Sequence, residues 1–102
     1  MFARMSTFEG SPEQVDELVH AAVEKVLPQL KRLEGFNGAL ALVDRQKGKV
    51  LTVIFWESEE AMHASEKASY WFRRYSAEST NETVTDVERY EVVFSDLNVA
   101  QP

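Results

Sequence analysis

Few side chains in this 102-residue chain are of the types that carry covalent chemistry. It has no Cys, which removes thiolate nucleophiles, thiolate-ligated haem, zinc ribbons and any disulfide framework. Its two histidines, His20 and His63, stand more than 40 positions apart, too far for a local metal-ligand pair. No Gly-x-Ser-x-Gly, no Ser/His pair at suggestive spacing and no Gly-rich phosphate loop is found. The carboxylates gather at Glu57, Glu59 and Glu60 and at Asp86, Glu88 and Glu91, where helix capping and solubility account for them. What remains is cationic, amide and aromatic. Arg4 falls inside an apolar stretch, where a charge is costly unless it is paired. It is either the partner of Glu88, Glu91 or another acid on a neighbouring strand, or a cation that steadies an oxyanion. Asn37 is a second polar candidate. Trp71, Phe72 and Tyr75 form an aromatic cluster around Arg73-Arg74, a pair that either attracts an anion or rests in solvent.

The elements that must position these residues are readable from pattern. Phe2-Phe8 spreads Phe2, Ala3, Met5 and Phe8 over both faces and reads as a strand. Ser11-Pro12-Glu13-Gln14 is a helix start, with Ser at the N-cap, Pro at the first position and Gln completing a capping box. At about 100° per residue, Val15, Leu18, Val19, Ala22, Val23, Val26, Leu30 and Leu33 share one side. Glu17, Glu24 and Lys31 fall opposite, so an amphipathic helix is expected from Pro12 to about Leu33. Pro28 deprives the Glu24 carbonyl of its donor and predicts a kink on the wet side.

Gly35 closes that helix. A strand follows from about Ala39 to Asp44, then a hairpin turn at Arg45-Gln46-Lys47-Gly48 and a strand from Val50 to Trp56. Ser58 caps a second helix, with Glu59 and Glu60 in its first turn. This helix is expected to end near Ser76, with a polar loop from Ala77 to Thr83. Its inner face reads Ala61, Ala64, Ser65, Ala68, Phe72 and Tyr75, with Trp71 at the edge. His63 rotates to the wet side, and His20 to the polar edge of the first helix. Small residues on that inner face mean either close packing on the sheet or a cavity beneath the helix. A last strand from Val84 to Phe94 ends the domain, 1–94, leaving 95–102 as a frayed tail.

The order is β-α-β-β-α-β, which predicts an α+β, ferredoxin-like domain: a four-stranded antiparallel sheet with two helices on one face. The length fits one domain. The formal charge of -6 disfavours nucleic acid. The longest apolar run, Ala39 to Val43, is too short to cross a bilayer, and Met1-Phe8 lacks an apolar leader segment. A cytoplasmic location is therefore expected, with no membrane and no nucleic-acid partner.

Two helices cover one side of such a sheet, so the other side of each strand should be polar. Val50 to Trp56 is not. Leu51, Val53 and Phe55 point one way, and Val50, Ile54 and Trp56 the other. In the last strand Val84, Tyr90, Val92 and Phe94 are expected on one side, Val87 and Val93 on the other. Apolar residues on both faces predict a homodimer packed sheet against sheet.

Two segments carry a family resemblance. Leu33-Glu34-Gly35-Phe36-Asn37-Gly38 leads into the second strand, and Phe55-Trp56-Glu57-Ser58-Glu59-Glu60-Ala61-Met62 opens the second helix. With the element order, they resemble the dimeric α+β barrel superfamily, and most closely the antibiotic biosynthesis monooxygenase domain, over essentially Met1 to Phe94. The resemblance implies a dimeric barrel and a pocket between sheet and helices. It embraces cofactor-independent monooxygenases acting on aromatic polyketides, haem-degrading oxygenases and quinol oxygenases. The haem-degrading branch uses an Asn on the first strand, with a Trp and a haem-ligating His on the second helix. Here Phe2-Phe8 has no Asn, and His63 comes a turn or more before the ligand position, near Tyr75. Haem degradation is not expected.

The cofactor-free branch needs no cofactor and no metal. Its electron-rich substrate reduces oxygen itself, inside a dry pocket with groups that steady an oxyanion. The resemblance implies a pocket lined by Trp71, Phe72 and Tyr75 with Trp56 or Met5, and Asn37 and Arg4 as its polar groups. Two functions follow. One is a cofactor-independent monooxygenase acting on a small aromatic or quinol-type compound. The alternative is a non-catalytic dimer that binds a small apolar ligand or serves in assembly. A cavity under the second helix separates close packing from a ligand site.

Overall fold

The computed structural model describes residues 1–98. The chain opens with β1 (Phe2–Glu9), a 3-10 turn (Pro12–Gln14) and α1 (Val15–Ala21). A π-helical turn (Ala22–Val26) and α2 (Leu27–Leu30) continue the same rod. Strands β2 (Phe36–Asp44) and β3 (Lys49–Trp56) form the hairpin, followed by α3 (Glu59–Ala64), α4 (Glu66–Thr80) and β4 (Thr83–Glu91). The sheet order is β2-β3-β1-β4, with each neighbouring pair antiparallel. This is the expected ferredoxin-like arrangement. No helix among the described residues is long and apolar enough to cross a membrane.

The first helix starts where Ser11 and Gln14 place it, the Gln14 Oε1 accepting from the Ser11 backbone N–H at 3.4 Å. Pro28 acts differently from expectation. The rod widens into a π turn just ahead of it, with the Leu27 N–H donating to Ala22 O. The Lys25 carbonyl accepts from the Gln29 side-chain amide at 2.9 Å. A missing donor is thus absorbed by a local change of helical register. Regular helix ends at Leu30, three residues before the expected Leu33.

The second helix is broken at Ser65 and runs four residues past Ser76, taking in most of the expected loop. Asn81 ends it in the left-handed conformation (φ 59), and the Asn81 and Glu82 N–H groups both donate to Ala77 O. That geometry is the usual helix stop, served here by Asn in place of Gly. Ser58 caps the N-terminus as expected, its Oγ accepting from Ala61 N at 3.1 Å.

A bulge opposite Thr7 and Phe8 shifts the pairing of β4, so that Thr7 faces Asp86 while Phe8 faces Val84. The extra residue, Thr85, flips the strand's alternation. Val84 therefore shares the helix-side face with Val87, correcting its expected grouping with Tyr90. Regular strand ends at Glu91, so Val92, Val93 and Phe94 lie beyond it. The expected tail begins within this irregular stretch, and 99–102 fall outside the described residues.

Two apolar clusters hold helices to sheet. Phe8, Val15, Leu18, Val50 and Ala77 pack at one end, with Val19 and Val84 against them. Val26, Leu30, Trp56 and Met62 pack at the other, joined by Phe2, Phe36, Ile54 and Phe72. Among the described residues, no element covers the opposite face of the sheet. There Leu51, Val53 and Phe55 are half-buried, and Leu42 and Tyr90 are each 49% exposed.

Candidate functional site

Between the two clusters lies a cavity of about 370 Å³. Its floor is the helix side of the sheet: Arg4, Ser6 and Phe8 of β1, Val50, Thr52 and Ile54 of β3, and Ala39 and Ala41 of β2. One wall is the rod through Leu18, Ala22, Val23, Val26 and Leu30. The other is α4 through Ser69, Phe72, Arg73 and Ser76. Val23, Ala39 and Ala41 are the exposed lining residues, so the cavity opens between the π turn and the edge strand β2. The π turn thus stands at the mouth.

Arg4 is 1% exposed and is the site's principal charge. Its Nη1 donates to Ser69 Oγ at 2.7 Å; its Nη2 donates to Met62 O at 2.8 Å, Ser65 Oγ at 3.0 Å and Glu66 Oε2 at 2.7 Å. Its guanidinium also lies 5.8 Å from the Trp56 ring centroid, a cation–π distance. The break at Ser65 serves this cluster. It leaves Met62 O able to receive Arg4, while Ser65 Oγ donates to the same carbonyl at 2.7 Å. Glu66 bridges onward to Arg89, which grips both its oxygens at 2.8 and 2.7 Å. That grip, against the opposing effect of burial and with Arg4 assisting, holds the Glu66 carboxyl down to about 2.

Arg73 is the second cation of the cavity wall. Burial chiefly, and the nearby Arg4 charge, push its pKa below the usual arginine range. Its Nη1 is buried without a hydrogen-bond partner, and so is Arg4 Nε. Arg74 instead turns outward, to Glu78 at 2.8 Å and to the Trp71 ring. The expected surface pair is therefore split, one arginine in the site and one in solvent.

The other expected site residues separate in the same way. Arg4 and Phe72 line the cavity. Trp71 is 53% and Tyr75 46% exposed, on the far side of α4, which corrects their expected place in the lining. The reason is rotation: Ser65, Ser69, Ser76 and Thr80 face inward, so residues 71 and 75 face away. Ala64, expected inside, is exposed. Trp56 is fully buried behind Arg4, not in the lining. Met5 alternates to the bare face of the sheet, opposite Val53. Asn37 is exposed and donates to Met1 Sδ at 3.1 Å. Arg4 pairs with an acid on the helix, not with Glu88 or Glu91. His20 and His63 are both exposed. No cluster of metal-binding side chains occurs among the described residues.

The site residues that pattern passed over are Ser69, Ser76, Glu66 and Arg89, whereas Arg73 is one of the pair expected to meet an anion or solvent. A serine register at 65, 69 and 76 was the available signal. Apolar periodicity looks past it.

The sequence model of the antibiotic biosynthesis monooxygenase family matches residues 1–77. The chain belongs to that family. Among curated relatives, an uncharacterized Mycobacterium tuberculosis protein is 34% identical over 92 residues, 90% of this chain and 41% of its own length. A second uncharacterized protein from that organism is 38% identical over 65 residues, 64% of this chain and 28% of its own. The chain thus spans less than half the length of these curated relatives. Three solved structures share its fold. The ActVA-Orf6 monooxygenase of Streptomyces coelicolor, in complex with nanaomycin D, aligns with TM-score 0.69 at 19% identity, covering 98% of this chain and 92% of that one. SnoaB, a cofactor-independent oxygenase from Streptomyces nogalater, aligns with TM-score 0.66 at 11% identity, covering 92% and 94%. A dimeric ferredoxin-like protein from an uncultured marine organism aligns with TM-score 0.68 at 12% identity, covering 96% and 100%.

Proposed function

We propose that this chain is a cofactor-independent monooxygenase for a small aromatic or quinol-type compound, working as a cytoplasmic homodimer. The observation that carries the reading is the cavity: an apolar chamber with two guanidinium groups on its wall, of the size that takes a small ligand. Family membership and the two oxygenases that share the fold support it.

The chemistry asks little of the protein. An acidic C–H or O–H of the substrate ionises, and its proton leaves to water at the mouth. The resulting delocalised anion passes one electron to O₂, the radical pair combines at carbon, and the peroxide anion so formed takes a proton back from water at the mouth to give a hydroperoxide. Loss of water from a CH₂ carbon so oxygenated leaves a carbonyl, so that CH₂ plus O₂ gives C=O plus H₂O. Arg4 and Arg73 steady the negative oxygen before electron transfer, in a chamber whose low polarity strengthens that attraction. Leu18, Val26, Leu30 and Phe72 exclude water from the carbanion.

The test is oxygen uptake over a panel of anthrones and hydroquinones, without added flavin or metal. One quinone formed per O₂ consumed for at least one member is expected, and chelator should leave the rate unchanged. A panel that binds in the cavity without consuming oxygen would establish the non-catalytic ligand-binding alternative instead.

A further inference from the structure

The charges at and beside the cavity wall do not balance. Three guanidinium groups, Arg4, Arg73 and Arg89, surround one carboxylate. Both oxygens of Glu66 are occupied, Oε1 by Arg89 and Oε2 by Arg4 and Arg89. None of these bonds involves Arg73. The remaining polar lining residues are Ser6, Thr52, Ser69 and Ser76, hydroxyls that bring no negative charge. Arg4 is as buried as the apolar core and still has a free Nε; Arg73 has a free, buried Nη1. An unpaired buried cation is strongly unfavourable unless an anion arrives to meet it.

We propose that the cavity takes its ligand as an anion: an apolar body carrying one carboxylate or phenolate oxygen, received by Arg73 with Arg4 behind it. The proposal deepens the oxygenase reading and rests on the same cavity. Arg73 comes from α4 and Arg4 from β1, so the anionic end sits toward the α4 wall. The apolar body then fills the space toward Val23 and Ala41, where the mouth opens. A neutral ligand of the same shape would leave both guanidiniums unanswered. The site therefore selects by charge first and by shape second.

Binding distinguishes this from the oxygenase reading, because it needs no turnover. The 102-residue chain is titrated calorimetrically at pH 7 with 1-naphthoate and with 1-naphthalenemethanol, bodies of the same shape with and without charge. Naphthoate is expected to bind roughly tenfold or more tightly. Arg73→Met should abolish that preference by weakening naphthoate binding, while Arg73→Lys retains part of the preference. Circular dichroism of both variants checks that they fold, and Arg73→Lys keeps the test open should Arg73→Met not fold. 1-Naphthol separates the two anions. Absorbance of naphtholate on binding at pH 7 identifies a phenolate site, whereas naphthoate preference without it identifies a carboxylate site. Equal affinity for naphthoate and the alcohol, or failure of both to bind, overturns the proposal. Charge preference without oxygen uptake by any substrate leaves it standing and removes the oxygenase reading.

Discussion

Arg4 places a guanidinium on an inner strand, and Glu66 is the group that makes this tolerable. The pair is nearly buried on one side and 29% exposed on the other, so removing one partner exposes the chain to the desolvation cost of the survivor. Arg4→Met should lower stability by about 2–3 kcal/mol, read from urea unfolding at pH 7. The acid side follows from Glu66. Its carboxyl is held at about 2 against an ordinary 4.5. Its contribution is therefore complete above pH 4.5 and is lost as pH falls toward 2. Glu66→Gln should fall short of the parent by about 2 kcal/mol at pH 7, with the gap closing by pH 2. A gap that stays constant with pH would mean that the ionised pair is not its source. Glu82 has the opposite sign. It is 6% exposed, neither oxygen has a partner, and burial raises its carboxyl above the ordinary value. The unfolded chain ionises it first as pH rises, so the fold loses stability from about pH 4.5 up to the raised value and stays penalised above. Glu82→Gln should thus stabilise at pH 7 by about 1 kcal/mol and converge with the parent near pH 4. Urea midpoints at the two pH values decide it.

At the scale of elements, the existence and order of strands and helices were legible because their periodicities are strong. One exception arises where a polar contact outranked the apolar pattern. In the second helix the alanines suggested one inner face, but Arg4 needs Ser65, Ser69 and the Met62 carbonyl. The helix rotates to supply them, which carries Trp71 and Tyr75 outward. Of the seven site residues read from the sequence, Arg4 and Phe72 were legible as lining, one by its misplaced charge and one by its spacing. Glu66 and Ser69 were hidden as ordinary helix residues until a strand brought Arg4 to them. Pro28 was legible as a fault, but its resolution as a π turn was not, since that depends on Ala22 to Val26 widening beside an open cavity. The π turn offers its own test. Ala22 lines the cavity at this turn, so Ala22→Phe adds a ring where there is space. It should shift stability by no more than about 1–2 kcal/mol. Both oxygen uptake and naphthoate binding should disappear. Retained binding in a folded Ala22→Phe protein would place the ligand elsewhere.

For the whole molecule, the decisive feature is a sheet with one face covered and one bare. The bare face is not a scatter of single exposed apolar residues, which any surface carries. Met5, Val53 and Leu40 stand side by side across three strands, and Thr7, Leu51 and Leu42 form the next row. Such a largely apolar surface over β1, β3 and β2, bordered on β4 by Glu88 and Asp86, is expected to associate rather than stay in water. A second copy is the partner that fits, because a twofold axis lets each row meet its own counterpart and closes the assembly at two. The cavity mouth bears on this as well. Ala39 and Ala41 lie on β2, an edge strand of the isolated sheet, so pairing of sheets would also hold the strand that frames the mouth. Light scattering at micromolar concentration should return twice the chain mass of 11.6 kDa. Leu51→Lys with Val53→Lys puts two like charges into the centre of that face without touching the helix-side core. This variant should return a single chain mass, with its helical content retained and oxygen uptake reduced. A parent protein that scatters as a monomer would refute the dimer. A double variant that remains dimeric would move the interface to another surface.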